Sequence, residues 1–397
     1  MDTNMSQLRY KTLIAFIMFG LSACGSNTNQ STQPQPQQET KPSQQQGVKQ
    51  LDYQTLINGL ISNEVHGIIL HVSAPSGTFT SSAGLANLTT QEVLQPSAVY
   101  HLASGGKVFT ALLAVQLHEE GLLDLDLTID NWLSNDLASQ IQYSDQITLR
   151  QLLNHSSGIY NYSDPLREDA YVEFVMANYK SCISNEDLLQ FAYGQSGYFK
   201  LGKGVKYSNS NYVLIGMIMD SVLGHPNALA MRDKIIDRLA LSDTFSVGIE
   251  NQGAQLTPGY EKQEGRFINT GPILTQVTAA STPVASSVTD VATLMRGIFK
   301  DETWLSQAER EALLGDASRV KVSANLDYVL GLWKEEFNGY TVYHHNGGNH
   351  GYISNNIYVP ELDVSIVYFL NCGLSEPCIN AFNTVEQAVK LHVIATQ

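Results

Sequence analysis

Basic residues are scarce in this 397-residue chain: 23 lysines and arginines stand against 38 aspartates and glutamates, for a net charge of −15. With no basic stripe to neutralise phosphates, a nucleic-acid partner is excluded. Metal-ligating spacings are missing as well. No HExxH or CxxC pattern occurs and the ten histidines are scattered, so neither a metal nor another cofactor is expected. Charged residues make up only 15% of the chain against 43% hydrophobic ones, a balance that suits a packed core and not a disordered or coiled chain. No linker interrupts the sequence after residue 50, which points to one large domain with two lobes.

The apolar run Leu13 to Leu21, preceded by Arg9 and Lys11, is too short to span a bilayer and has the length of an export signal. It ends in Leu21, Ser22, Ala23 and Cys24, which resemble the bacterial lipobox. Residues 1–23 are therefore expected to be a signal peptide, with Cys24 lipidated as a membrane anchor. Gly25 resembles the sorting position of lipoproteins destined for a Gram-negative outer membrane, so the expected location is that membrane, facing the periplasm. Residues 24–50, rich in Gln, Pro and Ser, read as a tether, and 51–397 as the folded domain. Cysteine is rare too. In an oxidising compartment Cys372 and Cys378, flanking CGLSEPC, could close a small disulfide, leaving Cys182 outside it.

HGIILHVSA (66–74) and GTFTSSAGLA (77–86) read as a hairpin preceded by a helix over Tyr53 to Ile61. From Lys107 to Gly121 the sequence is apolar around nearly the whole helical circumference, which marks a buried central helix. Helical patterns dominate about 111–264. After about 265 the alternation of DYVLGLWKEE, YTVYHHNG, GYISNNIYVP and DVSIVYFLN predicts strands. VTDVATLMRGIF precedes them as a helix, with Thr289 as its cap, and a last helix spans Ile379 to Val393. The expected fold is α+β: a sheet lobe from about 51–110 and 265–397 forms one antiparallel sheet flanked by helices, with an all-helical lobe inserted.

Three short motifs carry chemistry. In HLASGGKVF, Ser104 and Lys107 lie three apart, so on a helix their side chains share one face within mutual reach. A serine hydroxyl needs a neighbour to accept its proton, and a lysine does so only if burial depresses its pKa; the apolar run supplies that burial. Gly105 and Gly106, without Cβ atoms, let an opposing strand and a substrate approach closely. SxxK alone is weak, since Ser318 and Lys321 also match it in a polar stretch. Tyr207-Ser208-Asn209 offers a tyrosine able to relay a proton and a carboxamide able to orient an amide, although a capped turn fits the same letters. His345-Asn346-Gly347-Gly348 ends a strand-like run. There the Gly348 N–H could join that of Ser104 as an oxyanion hole, and a tight hairpin is the plainer reading.

Taken together, in this order and spacing, the motifs resemble the serine hydrolases that include class C β-lactamases and D-alanyl-D-alanine carboxypeptidases. The resemblance covers about residues 55 to 395 and includes ITLRQLLNHSSGIYNY, with His155, Ser156, Ser157 and Gly158. It implies a β-lactamase/transpeptidase-like fold and an acyl-serine mechanism. Ser104 would be the nucleophile, Lys107 and Tyr207 the coupled proton carriers, Asn209 the orienting amide, His345 a further catalytic residue, and Asn346 and Gly347 substrate contacts. His345 stands where the family's β-lactamases have lysine, as in its peptidase and esterase branches. Asn346 and Gly348 depart from the hydroxyl residues with which family carboxypeptidases hold a terminal carboxylate, and Lys334 or Arg266 are the cations that could substitute. The implied activity is a D-alanyl-D-alanine carboxypeptidase-like peptidase on cell-wall peptides. An esterase, a weak β-lactamase and a non-catalytic lipoprotein that binds peptidoglycan fragments are the alternatives.

Overall fold

The computed structural model describes residues 51–164, 168–178, 180–250, 256–277 and 279–396. The expected signal peptide, Cys24 and the tether lie outside the described residues.

Nine strands form one antiparallel sheet in the order Glu92–Val93, Gly77–Asn87, Gly67–Ala74, Val364–Leu370, Tyr352–Val359, Tyr340–Asn349, Trp333–Phe337, Leu326–Tyr328, Val320–Lys321. The first hairpin joins the last strands through the register Ile68–Leu370 to Ser73–Ser365, so the two ends of the chain share the sheet as expected. Strand alternation sends Ile68, Leu70 and Val72 to one face, where they meet Phe382, Val385 and Val389 of the C-terminal helix Glu376–Ala395. Ile69, Val367 and Phe369 point the other way, into the core that holds helices Lys107–Glu119 and Val288–Lys300. Val364–Leu370 is buried along its whole length, which is why it reads as a continuous apolar run where a half-exposed strand would alternate.

Local chemistry fixes the helix ends. Asp52 accepts the Thr55 N–H at 3.0 Å at the start of the helix Tyr53–Leu60, Thr148 and Gln151 form a capping box on Leu149–Leu153, and Gly224 ends Asn209–Leu223 in the left-handed region at φ +71°. The helix Val288–Lys300 corrects the expected cap: Ser287, not Thr289, accepts the Asp290 N–H, and the Thr289 hydroxyl bonds Ser287 Oγ at 3.0 Å. The last helix begins three residues earlier than expected, at Glu376.

The inserted lobe is not all-helical. Phe245–Ser246 pairs with Val284–Ser286, which also pairs with Tyr100–His101, and Tyr260–Gln263 pairs with Arg266–Asn269. Segments this short leave no alternation to detect. DYVLGLWKEE likewise splits into two strands around Gly331, at φ +74°. Cys372 and Cys378 form a disulfide, and Cys182 lies exposed outside it.

Candidate active site

Ser104 occupies a single 3-10 turn, Ala103–Gly106, which leads directly into the helix Lys107–Glu119. Ala103 is held at φ +49°, a conformation that costs a non-glycine residue about 1–3 kcal/mol and persists only where neighbours enforce it. Here the enforcement comes from His101, whose Nδ1 accepts the Ala103 N–H at 3.0 Å. The same nitrogen meets Asn349 Nδ2 at 3.0 Å, tying the turn to the end of the strand Tyr340–Asn349. Burial lowers the His101 pKa to about 4, so the ring stays neutral and its Nδ1 remains an acceptor at neutral pH.

The two glycines after Ser104 prove to be contact points with protein. A Cβ on Gly105 would stand 3.1 Å from Ser354 Oγ and 3.4 Å from the His345 carbonyl oxygen, and one on Gly106 would stand 3.0 Å from both Pro283 Cδ and Val284 Cγ2. They let the strand Tyr340–Asn349 and the segment 283–284 close on the nucleophile from two sides.

Lys107 is fully buried. Its Nζ lies 3.1 Å from Ser104 Oγ, 2.8 Å from Asn209 Oδ1 and 2.7 Å from the Ser281 carbonyl oxygen, and 5.0 Å above the Tyr207 ring. Burial holds its pKa well below the ordinary lysine value. A neutral amine has two N–H bonds and one lone pair. The carboxamide and carbonyl oxygens can only accept, so they take the N–H bonds and leave the lone pair for the Ser104 proton.

Tyr207 is half-buried, with its hydroxyl oxygen shielded from solvent. Burial raises its pKa well above the usual value, opposed by a hydrogen bond with Ser104. The Asn209 side chain is stretched between Lys107, through Oδ1, and Ser163 Oγ, to which Nδ2 donates at 2.9 Å. The helix Asn209–Leu223 has no side-chain cap of its own at Ser208. Asn161 Oδ1 instead accepts the Asn209 N–H at 3.0 Å, and Ser210 Oγ accepts the Tyr162 N–H and donates to the Tyr160 carbonyl. The loop 160–163 thereby satisfies an orphan helix N–H and fixes the YSN motif in one operation.

His345 lies beside the cluster. It is 1% exposed, with Nδ1 2.6 Å from the Asn346 carbonyl and Nε2 3.1 Å from the Tyr328 hydroxyl. Burial lowers its pKa to about 3. It acts as a neutral post that carries Tyr328 and the aromatic wall around Tyr207, which lies 6.0 Å away between ring centroids. Both ring nitrogens of this expected catalytic histidine thus have partners within the protein. Asn346 is exposed, and Gly347 is buried against the nucleophile turn. A Cβ at Gly347 would land on the Leu102 carbonyl oxygen, 2.7 Å from Ser354 Oγ and 2.8 Å from the Gly105 nitrogen. The next residue, Gly348, follows it on the strand Tyr340–Asn349. Gly347→Ala is therefore expected to lose about 1–3 kcal/mol by overpacking and to slow acylation, as read by denaturant unfolding and by the rate of Ser104 labelling. Wild-type values in both would remove this contact from the account.

Sequence reasoning missed the Ser281 carbonyl, which no motif announces. It also missed His101 and His155. The latter packs its ring 4.2 Å from Tyr207 while its Nδ1 accepts the Ser208 N–H at 3.3 Å; its position in the quoted HSSG segment was the available signal. The second SxxK match is structural: Ser318 is buried and accepts from Arg150 Nη1 at 2.7 Å, and Lys321 is exposed. Neither Lys334 nor Arg266 makes a hydrogen bond or ion pair to a site residue, and Arg266 is exposed on the hairpin Tyr260–Asn269. Among the described residues no cluster of His, Cys, Asp and Glu is arranged to hold a metal.

Known proteins resemble this chain. The Beta-lactamase family model matches residues 53–387. Penicillin-binding protein 4* of Bacillus subtilis is 29% identical over 201 residues, covering 49% of this chain and 41% of the relative; the chain thus spans well under two thirds of the curated relatives it matches. A D-stereospecific amidohydrolase from Streptomyces sp. superposes with a TM-score of 0.68 at 27% identity over 83% of this chain and 96% of the other. A penicillin-binding protein from Bacillus halodurans gives a TM-score of 0.72 at 19% identity, over 86% and 100% of the two chains, and at that identity the likeness is one of fold.

Proposed function

Because the chain belongs to the beta-lactamase family and is a serine hydrolase, we propose that it cleaves amide bonds of cell-wall peptides as a D-alanyl-D-alanine carboxypeptidase-like enzyme. The observation that carries the reading is the fully buried Lys107 Nζ, 3.1 Å from Ser104 Oγ and saturated on its other sides by two oxygens. Ser104 Oγ attacks the carbonyl as Lys107 takes its proton. The oxyanion forms beside the Ser104 and Gly348 N–H groups at the start of a helix, where negative charge is favoured. Tyr207, whose ring lies 5.0 Å from Lys107 Nζ, relays a proton to the leaving amine. Water then attacks the acyl-serine with Lys107 again as base.

A second reading is hydrolysis of amides or esters that carry no terminal carboxylate. It is favoured by the exposed Asn346 in place of a carboxylate-binding hydroxyl, and by the likeness to a D-stereospecific amidohydrolase. Purified enzyme assayed on a D-alanyl-D-alanine peptide, a D-amino acid amide, a nitrophenyl ester and nitrocefin separates these. The peptide is expected to give the highest kcat/KM and nitrocefin the lowest. A preference for the amide or ester moves the conclusion to the second reading, and a preference for nitrocefin overturns both.

In the cell the enzyme is held at the outer membrane through lipid on Cys24, by the lipobox resemblance. Partition into the membrane fraction, lost in Cys24→Ala, is the expected result, and unchanged partition refutes it.

A further inference from the structure

A carboxamide carries an acceptor at one end and a donor of nearly the same size at the other, so its hydrogen-bond partners decide which end faces which way. For Asn209 the choice matters. With Oδ1 toward Lys107 Nζ, as it stands at 2.8 Å, the neutral amine gives an N–H bond to Asn209 and keeps its lone pair. With Nδ2 in that place the amine could only accept, and its lone pair would be occupied by Asn209 in place of the Ser104 proton.

The loop 160–163 makes that choice through a chain of hydrogen bonds whose direction starts from the backbone. Asn161 is 5% exposed, and its Oδ1 takes the Asn209 N–H at 3.0 Å and the Ser163 N–H at 3.4 Å. Backbone N–H groups only donate, so this atom is an acceptor. Ser163 Oγ lies 3.3 Å from the same oxygen and gives it the one proton a hydroxyl has. Only lone pairs then remain on Ser163 Oγ for Asn209, and it accepts from Nδ2 at 2.9 Å. With Nδ2 held on that side, Oδ1 is the end left for Lys107. Tyr198 anchors the loop: its hydroxyl accepts the Asn161 N–H at 3.2 Å and donates to Asp164.

We propose that Ser163 is a positioning residue for acylation: its hydroxyl, with its direction set by Asn161, holds the Asn209 carboxamide oxygen toward Lys107 and so keeps the amine lone pair for Ser104. The inference rests on the acyl-serine reading of Ser104 and Lys107, and not on which substrate is cleaved. It has a signature of definite sign. An ammonium at Lys107 needs an acceptor for each N–H bond, and Asn209 Oδ1 supplies one of them. Without the Ser163 hydroxyl the carboxamide is free to turn, which sets Nδ2 against the ammonium and disfavours it, so the Lys107 pKa falls further. Mere loosening of the loop would admit water and move that pKa the other way, toward the ordinary lysine value. The other titratable groups around Lys107 do not share its acid limb, since burial pushes Tyr162, Tyr207 and Tyr212 up and His155 and His345 down.

The second-order rate of Ser104 labelling by a fluorophosphonate, followed by intact mass as a function of pH, tests the proposal, because the probe has no ionising group of its own. Ser163→Ala is expected to lower the plateau rate by about tenfold, the scale on which one lost hydrogen bond acts, and to move the midpoint of the acid limb to lower pH. Ser163→Thr, which restores the hydroxyl, should return both toward the wild type. An unchanged plateau in Ser163→Ala overturns the proposal. So does a midpoint that stays in place or moves up, or a Ser163→Thr protein that behaves like Ser163→Ala. If Ser163→Ala does not fold, Ser163→Cys, whose thiol is only a weak acceptor, carries the same expectations in its place. A wild type that takes no label overturns the acyl-serine reading itself, whereas a labelled wild type beside an unaffected Ser163→Ala overturns this inference alone.

Discussion

Ser104→Ala is expected to remove covalent labelling by a fluorophosphonate completely and to lower kcat/KM by about 10⁴-fold or more, the scale on which loss of a serine nucleophile acts. Mass spectrometry of the intact protein reads the first, with one adduct on the wild type and none on the variant. The fold should survive. Ser104 is partly exposed, and its loss leaves Lys107 with both of its hydrogen-bond acceptors, Asn209 Oδ1 at 2.8 Å and the Ser281 carbonyl at 2.7 Å. Unchanged thermal unfolding alongside lost labelling therefore separates chemistry from stability. An adduct that persists in Ser104→Ala would place the nucleophile elsewhere and dissolve the catalytic account of this turn.

The long apolar and alternating segments were legible because one periodicity dominated each. Val364–Leu370 is buried on both faces, and Lys107–Glu119 is buried continuously from Lys107 to Leu117, so both announce themselves in the letters. Phe245–Ser246 and Val284–Ser286 do not, because their pairing depends on a partner some forty residues away and adds no local pattern. The cap of Val288–Lys300 was misplaced by two residues for a similar reason. Ser287 and Thr289 are equally good capping residues, and only the approach of the chain decides between them.

At the site, the side chains proposed to react were visible and the groups that hold them were not. SxxK and YxN are spacings along the chain, which sequence displays. The Ser281 carbonyl is backbone, 174 residues from its lysine, and any residue could supply it. His345 shows a related limit. Its place in the motif suggested chemistry, yet the sequence does not reveal that Tyr328, seventeen residues back, takes its Nε2 and that burial keeps it neutral.

Lys107→Met tests the claim that the amine is neutral in the native state, and it does so through two observables with fixed signs. Without a base for the serine proton, kcat/KM should fall by roughly 10³–10⁴-fold, at the upper end of what a single general base contributes. In the wild type the rate should fall as pH drops through the lowered Lys107 value, since protonation removes the lone pair. Stability carries the second sign. The unfolded lysine titrates near the ordinary value of 10.5, whereas the folded one lies well below it. Between those two values the unfolded chain binds the extra proton, so wild-type stability gains from this residue as pH rises through the window, and the deficit is largest below the folded value. Methionine has no proton to bind, and contributions from every other group cancel between the two proteins. The stability of Lys107→Met relative to wild type should therefore decline steadily in denaturant melts taken from pH 7 toward pH 10. A difference independent of pH would mean that the native amine keeps its proton as readily as the unfolded one, and a protonated ammonium 3.1 Å from Ser104 Oγ has no lone pair with which to make that oxygen nucleophilic.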